Sequence, residues 1–161
     1  MIKKILLVLL LALIVLQFIH PKKNKAEGVQ PNYVGNKYAV PQDVNAILVK
    51  ACNDCHSNNT SYPWYSKLQP IDWWMDGHVR DGKKELKLDE YTNRSLRFQY
   101  HKLEGLAEQV EKGEMPLDSY TWIHKDAILK ADQKKKLTDW ATSIMDTMRA
   151  QYPPDSLIRK K

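Results

Sequence analysis

Cysteine is scarce in this chain of 161 residues: Cys52 and Cys55 are the only two. Two thiols so close together cannot staple a small domain across distant elements, so an ordinary core must hold the fold, and a chain of this length can bury one. No stretch alternates apolar and polar side chains for long enough to argue a sheet. No internal repeat or low-complexity tract occurs, which excludes a solenoid. A phosphate-cradling glycine loop, a general acid/base pair and a nucleophile constellation are all missing, so nothing argues for hydrolysis or group transfer. A basic stripe is missing too, although the formal charge is +6. Lys3, Lys4, Lys22, Lys23, Lys25, Arg159, Lys160 and Lys161 sit at the two ends. With those eight set aside, 17 basic side chains face 19 acidic ones, a net of −2 over residues 26–156. The body lacks the electrostatic footprint of a nucleic-acid binder.

What the sequence does have begins at the N-terminus. Residues 5–16 carry no polar side chain, and but for Gln17 the run continues to Phe18 and Ile19. Its 15 residues are short for a spanning helix of about 20 and suit a signal core. The exit, Gln17-Phe18-Ile19-His20-Pro21, has none of the small residues that cleavage needs, and Lys3 and Lys4 can snorkel to lengthen the span. An uncleaved signal anchor, a transmembrane helix over residues 1–20, is therefore expected in preference to a removed peptide. Two lysines before the run and three after it leave orientation open. Residues 21–41 are polar, with Gly28, Pro31 and Gly35 and no apolar periodicity, and read as a flexible linker. Residues 42–150 form the expected domain, and 151–161 a basic tail able to touch anionic lipid.

The body reads as all-α, with about four helices. Val44, Ile47, Leu48 and Ala51 follow helical spacing behind Pro41 and Asp43. Ile71, Trp74, Met75, His78 and Val79 repeat it between Pro70 and Gly82. Leu96, Tyr100, Leu103, Ala107 and Val110 make a third stripe, stopped at Gly113. Leu137, Trp140, Ala141, Ile144, Met145 and Met148 make the clearest, ended by Pro153-Pro154.

The first of these helices runs into Cys52-Asn53-Asp54-Cys55-His56, the one strong chemical signal. Two thiols about one helical turn apart can each add across a haem vinyl group, and the adjacent imidazole then stands under the iron as proximal ligand. Three other readings compete. Tetrahedral zinc wants two further ligands at matching spacing, and no second pair exists. A dithiol redox site expects a thioredoxin-like βαβ context, and its test is free thiols with no Soret band. A plain disulfide across so short a loop would constrain the unfolded chain little.

On these residues the chain resembles the cytochrome c superfamily. It is most similar to membrane-anchored, single-haem "haem-binding domain" proteins that carry Cys-x-x-Cys-His-Ser-Asn-x-Thr-x-x-Pro-Trp-Tyr-Ser. That motif stands here from Cys52 to Ser66, followed by Pro70 and Trp73-Trp74, and the resemblance covers about residues 40–150. It implies a cytochrome c-like helical domain around one covalent haem c. It also implies a single-pass place on the bacterial cytoplasmic membrane with the haem domain periplasmic, since c-type haem is attached outside that membrane. One departure is Val44, where such proteins often carry a glycine that packs on the last helix; contact between the first and last helices of the domain is expected to be looser or shifted.

For the sixth iron ligand, Met115 stands apart from the stripe methionines Met75, Met145 and Met148, whose spacing suits core packing. It lies in Gly113-Glu114-Met115-Pro116, after a helix stop and 59 positions beyond His56. Gly113 permits a turn and Pro116 fixes the backbone beside the thioether. The other reading of Met115 is an ordinary packed loop residue. His78, on an apolar helix face, is the alternative ligand, ahead of His101 and His124; His20 borders the anchor. Trp64, Tyr65 and Trp74, together with Tyr62, Trp73 and Trp122, are candidates to wall the haem, or else to fill the core of a chain with two phenylalanines. The expected function is electron carriage rather than enzymatic turnover, with an unidentified redox partner protein. The alternative is a haem-based sensor, or a peroxidase-like module, with an open or labile sixth position.

Overall fold

The computed structural model describes residues 1–158. Its elements, in chain order, are α1 (Ile2–Leu16), α2 (Gln42–Ala51), α3 (Asn53–His56), α4 (Ile71–Glu85), α5 (Leu96–Lys112), α6 (Asp118–Thr121), α7 (Ala131–Gln151) and α8 (Pro154–Leu157). Short 3-10 turns stand at Val34–Asn36, Trp64–Lys67 and Lys125–Ala127. Among the described residues the only β pairings are isolated bridges, Lys25 with Asn59 and Asn32 with Glu90. The all-helical expectation holds, with the four anticipated body helices joined by three short ones.

Helix α5 starts where Ser95 accepts a hydrogen bond from the Phe98 N–H, and it stops at Gly113, which adopts a left-handed φ of 75°. Helix α7 buries every position of its apolar stripe, from Leu137 to Met148, and packs chiefly along α5. Their shared seam also takes Tyr100, Leu103 and Val110 from α5 and Leu157 from α8. Helix α2 joins this core through Val44, Ile47 and Leu48. The contact between α2 and α7 is smaller than that between α5 and α7. It is supported by a 2.9 Å ion pair between Asp43 and Lys136 and by the Trp140 indole N–H, which donates to the Ala39 carbonyl at 3.0 Å.

Three expectations need correcting. The N-terminal run is helical, but α1 has 15 residues and a length of roughly 22 Å, against a hydrocarbon core of about 30 Å. No helix among the described residues is long and apolar enough to cross a membrane, so the anticipated transmembrane helix is not there as such. Residues 21–41, read as a flexible linker, pack against the body. Val34 is wholly buried and donates its N–H to the Leu88 carbonyl at 2.9 Å, Tyr38 enters the core, and the Ala26 N–H donates to the Asn58 carbonyl. Extended chain buries such side chains one at a time, which leaves no period to detect. The segment read as a basic tail folds back as α8, with Leu157 in the core and the Arg97 guanidinium donating to the Asp155 carbonyl. Arg159, Lys160 and Lys161 lie outside the described residues.

Candidate functional site

Cys52 closes α2, and α3 begins at once, carrying Cys55 and His56. The backbone turns tightly between them: both the Cys55 and His56 N–H groups donate to the Cys52 carbonyl, at 3.1 and 2.9 Å. Both cysteines are free thiols. Burial pushes Cys52 up to about 12, with a further contribution from Cys55, and pushes Cys55 up to about 11, aided by the Asp54 carboxylate. That is opposite to the depressed thiol that makes a Cys-x-x-Cys an effective exchange site.

The His56 ring is oriented by α4. Its Nδ1 lies 2.9 Å from the Leu86 carbonyl oxygen, just past the C-terminus of that helix. A carbonyl only accepts, so Nδ1 carries the proton, and in the neutral ring Nε2 keeps a lone pair. Burial lowers the pKa of His56 against the raising effect of this hydrogen bond, which favours the neutral ring. A donor of this kind, with its distal nitrogen held by a backbone acceptor, is suited to a metal. The His56 carbonyl in turn accepts from the Leu88 N–H at 2.8 Å, fixing the chain after α4 to α3.

Helix α4 can lie this close only because of Gly82. A Cβ there would stand 2.9 Å from both the Cys55 Cβ and the Cys55 carbonyl oxygen. Any side chain would force α4 away from α3.

Adjoining cavities surround the three motif residues. The largest of them, about 440 Å³, is lined by Cys52, His56, Leu86, Met115 and Pro116, with α5 forming its far wall. A second, about 160 Å³, is shared by Cys52, Cys55, His56, His78, Met115 and Tyr120. A third, about 60 Å³, continues past Cys55 to Tyr65, Trp74, Met75, His78 and His124. The structure therefore brings Cys52, Cys55, His56, Met115 and His78 together on one continuous space, with Tyr65 and Trp74 at its end. Met115 lines it while packing against the core of α5 and α7. His78 stands edge-on to Trp74, ring centroids 4.5 Å apart. Trp64 is not brought in: it opens a 3-10 turn after Pro63, points to solvent, and lines none of these cavities, whereas Tyr65 beside it turns inward.

Sequence reasoning missed a polar cluster at the same end. The Tyr120 hydroxyl donates to Asp54 at 2.8 Å, and burial together with that carboxylate raises its pKa. The Tyr120 ring stacks on His124 at 4.2 Å, and His124 Nε2 lies 2.7 Å from the Tyr65 hydroxyl. Asp54 also accepts from the Ser61 N–H at 2.8 Å, and its carbonyl accepts from the Thr60 hydroxyl at 2.6 Å. The position of Asp54 inside the Cys-x-x-Cys interval was the available signal, since it must lie beside the thiols. Tyr120 comes from the four-residue helix α6 and His124 from the turn after it, both too short to show a period.

The donor set fits haem better than a lone metal ion. Among the described residues no group of three or more His, Cys, Asp or Glu side chains is placed to hold an ion, so tetrahedral zinc lacks its ligands. Two thiols and one imidazole lone pair bordering an apolar-walled space suit a macrocycle whose iron needs one protein donor on that side. Compared with known proteins, the chain matches a family described as a haem-binding domain over residues 11–143. No curated protein and no solved structure matches it.

Proposed function

The chain belongs to the haem-binding domain family, and from that membership we propose that it attaches one haem covalently through Cys52 and Cys55 and carries single electrons. The observation that carries this reading is the convergence of two reduced thiols, an oriented neutral imidazole and the Met115 thioether on one continuous cavity. When bound, the haem supplies an iron that alternates between ferric and ferrous states. The protein's own residues do the rest. Cys52 and Cys55 would each hold the group by one thioether bond, the thiol sulfur and its proton going to the two carbons of one vinyl group, so that it would stay in place in both states. The Leu86 carbonyl holds His56 in one tautomer and leaves Nε2 as the lone-pair nitrogen of a ring that lines the space. Leu48, Leu86 and Val110, with Trp74, Met75 and Val79 of α4, supply the apolar walls of the space.

Met115 is proposed as the second axial donor and His78 as its alternative, both lining the cavity that His56 shares. A second reading, an open or labile sixth position suited to sensing or peroxidase-like chemistry, is favoured by one observation: Met115 is already packed against the apolar core. The proposal extends to location. The exposed apolar surface of α1 supports attachment to the bacterial cytoplasmic membrane, with the haem domain periplasmic, where c-type haem is attached.

The test is expression of the full chain with c-type haem maturation machinery, followed by acid–acetone extraction and oxidised and reduced spectra. Haem retained on the polypeptide with a low-spin spectrum is expected. A free-thiol product without a Soret band overturns covalent attachment. Met115→Ala is expected to convert the ferric spectrum to high spin. An unchanged low-spin spectrum would hand the position to His78, and a wild type that is already high-spin and binds CO or cyanide readily would favour the open-site reading.

A further inference from the structure

The joint between α1 and the body is tied by hydrogen bonds and ion pairs, and it lies beside an exposed apolar surface. Gln17, one residue past α1, exchanges hydrogen bonds with the Gln69 backbone: its Oε1 accepts from the Gln69 N–H at 3.0 Å and its Nε2 donates to the Gln69 carbonyl at 3.3 Å. The Gln69 side chain donates back to the Ile19 carbonyl at 2.6 Å. Asp72, in the first turn of α4 and almost fully buried, pairs with Lys23 at 2.6 Å and His20 at 2.8 Å. The Lys23 ammonium also donates to the Ser66 carbonyl. Residues 17–23 are thus clamped onto Ser66, Gln69 and Asp72.

The side chains between those clamp points turn outward, and they are large and apolar. Trp64 is 75% exposed, and Leu68 and Ile71, one turn apart where the Asp72 N–H donates to the Leu68 carbonyl, are exposed after it. Phe18 and Ile19 extend the same apolar surface at the foot of α1. Lys22 and Lys67 are exposed beside it, with no ion-pair partner among the described residues. Tryptophan with flanking lysine is the composition of a membrane–water interface, where the ring sits at headgroup level and the ammonium meets lipid phosphate. Helix α1 alone falls short of the hydrocarbon thickness, and an apolar face continuous with its foot compensates by seating the domain against the bilayer.

The geometry points to a lipid-docking face made by Trp64, Leu68 and Ile71, flanked by Lys22 and Lys67, which holds the haem domain against the surface of an anionic phospholipid bilayer in one orientation. This rests on the reading of α1 as the membrane attachment. It replaces a swinging tether by a fixed one, so a redox partner must approach the faces of the domain that remain uncovered.

The test uses the haem-loaded full chain in vesicles of phosphatidylcholine and phosphatidylglycerol containing a phospholipid with a photoactivated diazirine in its acyl chain. After irradiation, lipid adducts are located by mass spectrometry. Expected are adducts on α1 and on residues 64–71, the latter about fivefold or more above those on Val29 and Val49, which are exposed apolar residues outside this face. Adducts on α1 alone, with residues 64–71 no better labelled than Val49, overturn the docking face while leaving the α1 attachment intact, and would assign the face to a protein partner. Adducts on residues 64–71 without α1 keep the face and overturn the role of α1. Adducts on neither overturn both.

Discussion

The two halves of the body are closed by different chemistry. Where α5 meets α7 the interior is almost entirely apolar, with Leu103, Leu137, Ala141 and Met148 all but inaccessible to solvent. Between Val49 and His78, by contrast, every buried residue is polar: Ser57, Asn58, Thr60, Ser66, Gln69 and Asp72. Those groups are held by directional bonds. The Asn58 N–H donates to Asp89 at 2.7 Å, and the Asn24 amide donates to the Ser57 carbonyl and to Thr60. The large apolar side chains of this half, such as Trp74, Met75 and Tyr65, line the cavity instead of a core of their own. One half therefore contains its own hydrophobic stabilisation, while the other fixes its loop shape with hydrogen bonds and leaves its large apolar side chains on the cavity or at the surface. Ligand binding to such a half contributes directly to its folding free energy.

The strongest test of that contrast removes the thiols. Cys52→Ala with Cys55→Ala is expected to abolish covalent haem, so that all pigment enters acid–acetone. Hydrogen exchange should then rise unevenly, with amides of residues 57–79 exchanging at least about 100-fold faster than those of α5 and α7. Uniform loss of protection across both halves would dissolve the distinction. On the apolar side, Leu137→Ala should cost about 2–5 kcal/mol through the cavity it leaves. It should lower the melting temperature of α5 and α7 together, read by circular dichroism.

Two substitutions address the boundary of the cavity around Cys52, Cys55 and His56. Gly82→Ala places a methyl group against Cys55 at 2.9 Å. An overpacked contact of this kind costs about 1–3 kcal/mol, and the yield of matured protein should fall with it, because α3 and the Leu86 carbonyl shift relative to each other. Tyr120→Phe removes the bond to Asp54 and should cost about 1 kcal/mol. Its effect should appear as faster exchange of residues 60–62, with the extraction behaviour of the haem unchanged. A Tyr120→Phe protein that loses haem would promote Tyr120 from shaping the loop to holding the cofactor.

How far the sequence could foresee this follows the same division. The α7 stripe from Leu137 to Met148 was readable because an apolar core imposes a period on the helix that covers it. The α4 stripe was read with equal ease but to a different end: only Val79 is buried, while Trp74, Met75 and His78 face the cavity. Periodicity reports that a face is apolar and says nothing of what covers it. Cys52, Cys55 and His56, the proposed attachment residues, stand out in the sequence because two thiols and an imidazole can act on one macrocycle from a single short stretch of chain. The Leu86 carbonyl, the Gly82 contact and the Tyr120–His124 stack were not, since backbone acceptors carry no sequence mark and the loop residues meet only through tertiary folding. Residues 21–41 failed for a related reason: Val34 and Tyr38 are buried singly from extended chain.

The smallest effect lies where α2, which delivers Cys52, touches the apolar half. Asp43 and Lys136 meet at 2.9 Å, and the Lys136 ammonium holds the Asp43 carboxyl below its ordinary value, while Asp43 raises Lys136. A depressed carboxyl contributes stability above its unfolded value, near 4, and that contribution is lost as pH falls through the lower folded value. Lys136→Gln should therefore melt slightly below the wild type at pH 7 in low salt. The two curves should converge below about pH 3, and also at pH 7 in about 1 M salt, where exposed charges are screened. Convergence in both conditions would mean that the junction is chiefly the packing of Val44 and the Trp140–Ala39 hydrogen bond. A gap that survives salt would mean that the pair is shielded and that α2 is tied to the apolar half more firmly than to the haem half it serves.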